Sequence, residues 1–205
     1  IANFGTLHVT GNSAIVDDAL ANSQLTVSSG KTLTLNGTTV TGGAITNTGA
    51  TLAVDLGKTA TLNDVTVTGG SIADNGTVKI DATRTLRLDG VTLTGGAVNN
   101  LGTIAIIGSS SIVNDALTNY QLTVNSGTTL TLNGTTVTGG TVTDNGTIRI
   151  SGDSAINGAA VDGGQLAVDA GKTLTLNDTA VTNTTITDNG TVKVDSGKTL
   201  GLSGV

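Results

Sequence analysis

Three acidic residues, Asp74, Asp144 and Asp188, each stand immediately before Asn-Gly. Carboxylates among loop carbonyls are the donor set that calcium requires. The glycine-aspartate nonapeptide of calcium-binding β-rolls is missing, however, and Asp before Asn-Gly is an ordinary turn former. Glycan cleavage would need paired carboxylates, or a carboxylate with a base, converging in a cleft lined by sugar-stacking rings. The dense charge clusters are Asp17-Asp18, Asp81 with Arg84, and Arg87 with Asp89. None is accompanied by aromatics or by a long insertion that builds a cleft wall, so they read as solvated surface charges. His8 is the sole histidine, and there is no cysteine; a zinc cluster, a thiolate site and a nucleophilic triad all lack partners. The expectation is a protein that is not an enzyme, with no catalytic, metal or cofactor residues.

The repeated surface chemistry is Thr-x-Thr, at Thr39 and Thr41, Thr66 and Thr68, Thr92 and Thr94, and Thr136 and Thr138. Stacked on successive turns, these eight would form a regular outward array suited to a flat, periodic partner such as ice or a polymer surface. Ala180 replaces the first Thr in the last copy. Outward Thr is also simply a good strand residue.

The elements that must hold these side chains follow from composition. Only 12% of the 205 residues are charged, with a net charge of −6, and the aromatics are Phe4 and Tyr120 alone. Scattered basic residues without aromatic platforms argue against nucleic acid as a partner, and no apolar run is long enough for a membrane span. Val, Leu, Ile and Ala fill a narrow interior, while 30 glycines with abundant Thr and Asn favour short strands joined by tight turns.

An apolar-x-apolar triplet recurs from Leu7, Leu25, Leu52, Val78, Ile104, Leu122, Ile148, Leu166 and Val192, at steps of 18 or of 26 to 27 residues. The long unit runs through Leu33-Thr34-Leu35-Asn36-Gly37, and the short one omits part of it. Alternation is of period two, as in strands. Near-identical residues at one phase of every unit point to a parallel coil rather than a hairpin meander. The expectation is an all-β fold, a single parallel β-solenoid over residues 1–205. It would have about eight rungs of alternating ~18 and ~26 residues and a length of roughly 40 Å. Asn22, Asn75, Asn119, Asn145 and Asn189 each lie three positions before a triplet and should stack as a structural ladder. Asn36, Asn63, Asp89, Asn133 and Asn177 form a second set.

Gly30-Lys31-Thr32-Leu33-Thr34-Leu35-Asn36-Gly37, then Val40-Thr41-Gly42-Gly43, then Gly49-Ala50-Thr51-Leu52-Ala53-Val54, resembles the repeats of bacterial autotransporter passenger domains and giant surface adhesins. The resemblance covers nearly the whole chain. It implies a right-handed parallel β-helix in a secreted, cell-surface protein. The functional expectation is a structural or adhesive stalk, or fibre segment, meeting a host-cell, glycan or abiotic surface. Ile1 opens directly into a repeat, so the chain is expected to be part of a longer array, with strand edges around Leu7 and Val192 open to end-to-end self-association.

Overall fold

Alternating aliphatic and small polar residues make strands, and Gly, Asn or Asp at close intervals ends them before they lengthen. The computed structural model describes residues 1–205 as 28 strands without a helix. They form two sheets, one of 18 strands and one of ten. The larger sheet wraps an edge of the coil. Four strands, Ala2–Val9, Ala19–Val27, Ala97–Ile106 and Ala116–Val124, run straight through that edge, and they pair in parallel on both sides of it.

Each turn thus has three sides. Side 1 includes Thr38–Thr41 and Thr77–Ile80, side 2 includes Ala44–Thr46 and Thr85–Asp89, and side 3 is the ten-stranded sheet from Ser13–Val16 to Thr185–Asp188. The ten strands of side 3 count about ten turns of a β-solenoid, roughly 45 Å long at ~4.8 Å per turn. The expected fold class holds; the expected eight rungs become ten.

The reason is that the sequence unit and the structural turn differ. On side 3, Leu33 pairs with Leu52, Leu52 with Ile72, Ile72 with Leu93, Leu93 with Ile112, Ile112 with Leu132, Leu130 with Ile148, and Ile148 with Leu166. Those partners are 18 to 21 residues apart, so no turn has 26. A short unit is one complete turn: Leu7 pairs with Leu25, Ile104 with Leu122, and Ile148 with Leu166. A long unit contains one strand more, a turn and a third, and hands its motif to the next side. Thr32–Asn36 lies on side 3, Thr59–Asn63 on side 1, Thr85–Asp89 on side 2, Thr129–Asn133 on side 3 again and Thr173–Asn177 on side 1. The motif precesses around the coil.

Precession is tolerated because every strand position makes the same demand, an inward aliphatic residue. Forty-four buried residues, all Val, Leu, Ile or Ala, form one continuous core along the axis. Burying each large one contributes about 1.5–3 kcal/mol. The narrow interior has no room for rings, and both Phe4 and Tyr120 lie outside it.

Candidate functional site

Precession decides where the candidate threonines fall. Thr39, Thr41, Thr136 and Thr138 stand on side 1, Thr66 and Thr68 on side 2, and Thr92 and Thr94 on side 3. The structure does not bring them into one array. What stacks instead is a column on side 3 drawn from different phases of the unit: Thr32, Thr51, Ser71, Thr92, Ser111 and Thr131, on six successive turns. Some of its hydroxyls bond each other, Thr51 with Ser71 at 3.1 Å and Ser111 to Thr92 at 3.1 Å. Sequence reasoning missed this column, because its members share no motif.

The asparagines divide in the same way. Asn22 and Asn119 occupy the edge between sides 1 and 2, Asn145 that between sides 2 and 3, and Asn75 and Asn189 that between sides 3 and 1. Asn22 and Asn119 are buried and belong to two short stacks. Asn3 Nδ2 donates to Asn22 Oδ1 at 3.0 Å, and Asn22 Nδ2 to the Ala44 carbonyl at 3.0 Å. Asn100 Nδ2 donates to Asn119 Oδ1 at 3.0 Å, and Asn119 Nδ2 to the Thr141 carbonyl at 3.1 Å. Asn75, Asn145 and Asn189 are exposed, because at those corners the preceding Asp takes the equivalent place. Asp74, Asp144 and Asp188 each accept the N–H two residues on, at 2.9 Å. They serve as corner braces.

The second Asn set works across turns. Asn36, Asn63 and Asn177 each donate from Nδ2 to the carboxylate of Asp55, Asp81 and Asp195 on the next turn, at 2.8 Å. Each accepts the N–H of the same Asp in return, at 2.9–3.1 Å. Of the charge clusters, Asp81 pairs with Lys79 at 2.7 Å and Arg84 with Asp64 at 2.7 Å, both at the surface. Hydrogen bonds from these cations hold the Asp81 and Asp64 carboxyls below the usual carboxylate range. His8 is exposed on side 2, one turn below Thr26.

One corner departs from the pattern. A left-handed residue at Gly37, Gly134 and Asp178 turns the next residue inward, and Thr38, Thr135 and Thr179 there donate from Oγ1 to the carbonyls of Ile15, Ile112 and Ile156 on the preceding turn, at 2.7–2.8 Å. After Asp64, Gly90 and Gly158 the same inward place holds a buried aliphatic residue, Val65, Val91 or Ala159, so it accepts either a donor bonded to the turn before or an apolar group. After Asn114, also left-handed, it holds Asp115, only 4% exposed, with no hydrogen-bond partner of good geometry for either carboxylate oxygen. Two turns along the same edge, about 10 Å away, lies Asp74, fully buried. The intervening corner is Gly95-Gly96, and a Cβ on Gly96 would stand 2.7 Å from Asp74 Cγ. Burial, and then the charge of Asp74, push the Asp115 carboxyl up to about 7. Burial also raises Asp74 and Asp144. A carboxyl that keeps its proton can donate where threonine does elsewhere.

No protein-family model matches the chain, and no curated protein matches it. A structure search matches the crystal structure of a TibC-catalyzed hyper-glycosylated TibA55-350 fragment, at 16% identity over 99% of each chain with a TM-score of 0.21. The class is defined by the fold itself: a parallel β-solenoid repeat protein whose sequence unit precesses around its axis.

Proposed function

We propose that the chain is a structural stalk segment of a secreted bacterial surface protein, projecting or connecting adhesive parts without catalysis of its own. The observation that carries this reading is the precession. It spreads every repeated side chain over three sides, so the repeat specifies a uniform rod rather than a binding face. The corner side chains support it, since Asn22, Asn119, Asn36, Asn63 and Asn177 bond the next turn, and Asp74, Asp144 and Asp188 brace their own corners. Cell-surface placement and the adhesive context rest on the resemblance of the repeats, and edge strands at either end would pair with further turns of like kind. Small-angle scattering from one chain, and from two fused in series, tests the rod. One cross-section and a doubled length are expected; a bent or thickened fused particle would reject it.

A second reading is favoured by the side 3 hydroxyl column, which carries no charge from Thr32 to Thr131: this strip would contact ice or a regular polymer. Thermal hysteresis that disappears in Thr51→Lys/Thr92→Lys supports it, and an inactive native chain eliminates it.

A further inference from the structure

On a rod this uniform, the side chains that no repeat requirement explains stand out. Tyr120 is the only tyrosine and is 65% exposed; Leu101, one turn below, is 44% exposed. Both lie where strands Ala97–Ile106 and Ala116–Val124 run through the edge between sides 1 and 2, with Asn100 paired to Asn119 and Thr103 to Gln121 around them. Two residues there, Leu101 and Gly102, face one, Tyr120, a bulge that pushes the Leu outward.

The backbone beneath is fixed from inside. Asn100 Nδ2 donates to Asn119 Oδ1 at 3.0 Å and to the Gln121 carbonyl at 2.7 Å, and Asn119 Nδ2 donates to the Thr141 carbonyl at 3.1 Å. Above the ring the chain turns at Gly139-Gly140. A Cβ on Gly140 would come within 2.4 Å of the Tyr120 carbonyl oxygen, and its φ of +68° suits glycine. The corner therefore has no side chain to cover the ring. Two hollows flank it, one of about 340 Å³ between Leu101, Thr103 and Gln121 on the lower side, the other of about 290 Å³ bounded by Gly140 and Thr141 above. None of the residues lining them is charged. Thr103 Oγ1 donates to Gln121 Oε1 at 3.3 Å, which leaves the Gln121 amide hydrogens directed to solvent.

We propose that Tyr120, with Leu101, Gln121 and Thr141, forms a binding site for a neutral saccharide. An exposed ring offers a face for the C–H groups of a pyranose, and the amide and hydroxyls beside it meet sugar hydroxyls. The absence of nearby charge in the lining argues for a neutral sugar over a phosphorylated or acidic one. A protein partner fits poorly, because two projecting side chains fall far below the ~800 Å² per partner of a stable interface. The site deepens the adhesive part of the reading above and rests on it only for biological context.

The test is titration of neutral oligosaccharides of glucose, galactose and N-acetylglucosamine into isotope-labelled protein, read by backbone amide shifts. Weak binding, on the order of millimolar, should move Tyr120, Gln121, Gly140 and Thr141 together. Tyr120→Ser should weaken it by about tenfold, whereas Tyr120→Phe should retain it. Serine is compatible with the fold at this place, since Ser23 occupies it in strand Ala19–Val27. No shift at these residues with any of the sugars overturns the site, as does binding that survives Tyr120→Ser. If Tyr120→Ser instead abolishes self-association seen by sedimentation, the patch contacts a second copy and the saccharide proposal fails. None of these results bears on the rod dimensions that test the stalk.

Discussion

Replacing Asp115 by Thr should stabilise this protein at neutral pH and leave it nearly unchanged at pH 4. The unfolded carboxyl titrates near 3.8, and in the folded chain burial and then Asp74 raise it to about 7. Between these values the unfolded chain has released its proton and the folded chain retains it. Unfolding then releases a proton, so stability falls as pH rises from about 4, and the full loss is present above about 7. A difference of about three pKa units corresponds to about 4 kcal/mol. Threonine restores the donor found at Thr38, Thr135 and Thr179 and abolishes this dependence. Asp74 and Asp144, also raised by burial, slope in the same direction and remain in the variant as a smaller residual. The surface carboxyls held down by cations, such as Asp64 and Asp81, act in the opposite sense and below pH 3.8, outside the window. Guanidinium unfolding followed by circular dichroism at pH 4.5, 6 and 8 measures the effect. Equal pH slopes for the native chain and Asp115→Thr, or a carbon-detected titration placing the Asp115 carboxyl near 4, would refute the reasoning.

Three further outcomes follow from the packing. Leu35→Asp, at a fully buried position, should cost about 4 kcal/mol or more through an unpaired interior charge, whereas Leu56→Asp, at an exposed one, should stay within about 0.5 kcal/mol; thermal melts compare them. Gly96→Ala should destabilise by roughly 2 kcal/mol more than Gly30→Ala, since both have φ near +70° but only Gly96 has Asp74 against its Cβ position; equal melting temperatures would show that the corner yields. Deleting Ile104–Gln121 removes one whole turn and should preserve the azimuth of spin labels at Thr34→Cys and Thr187→Cys, whereas deleting Val78–Thr103 should swing the second label by about a third of a turn; label distances that shorten alike in both would contradict the precession.

The strands, their inward residues and the parallel stacking were legible in the sequence, because period-two alternation and turn residues are local requirements stated at every unit. Leu33 and Leu35 point inward in the structure as their alternation demands. The number of strands per turn was not legible. Pairing in a coil depends on which strands come to lie one pitch apart, and a repeat of four strands looks, along the chain, the same as a repeat of one turn. The short units hold the clue. Their 18 residues step Leu7 onto Leu25 and Ile104 onto Leu122, so the short unit is the closed turn and the long one overshoots it.

That distinction controls everything inferred about the surface. Had like stacked on like, Thr39, Thr66 and Thr92 would share a face and the Asn at each corner would form a single ladder. With an overshoot of one strand, the same residues are dealt to three sides, and faces are instead assembled from unlike phases, such as Thr51 over Thr32 and Ser71 over Thr51. Consequently a feature confined to one side of this rod is either assembled from unlike phases of the repeat, as the hydroxyl column of side 3 is, or made by a local departure from the motif. Asp115 is one such departure in the interior and Tyr120 another on the surface, and both occur within strands and corners whose backbone the repeat already fixes. The repeat thus sets the frame, and these substitutions are where selection for something other than stacking can be read.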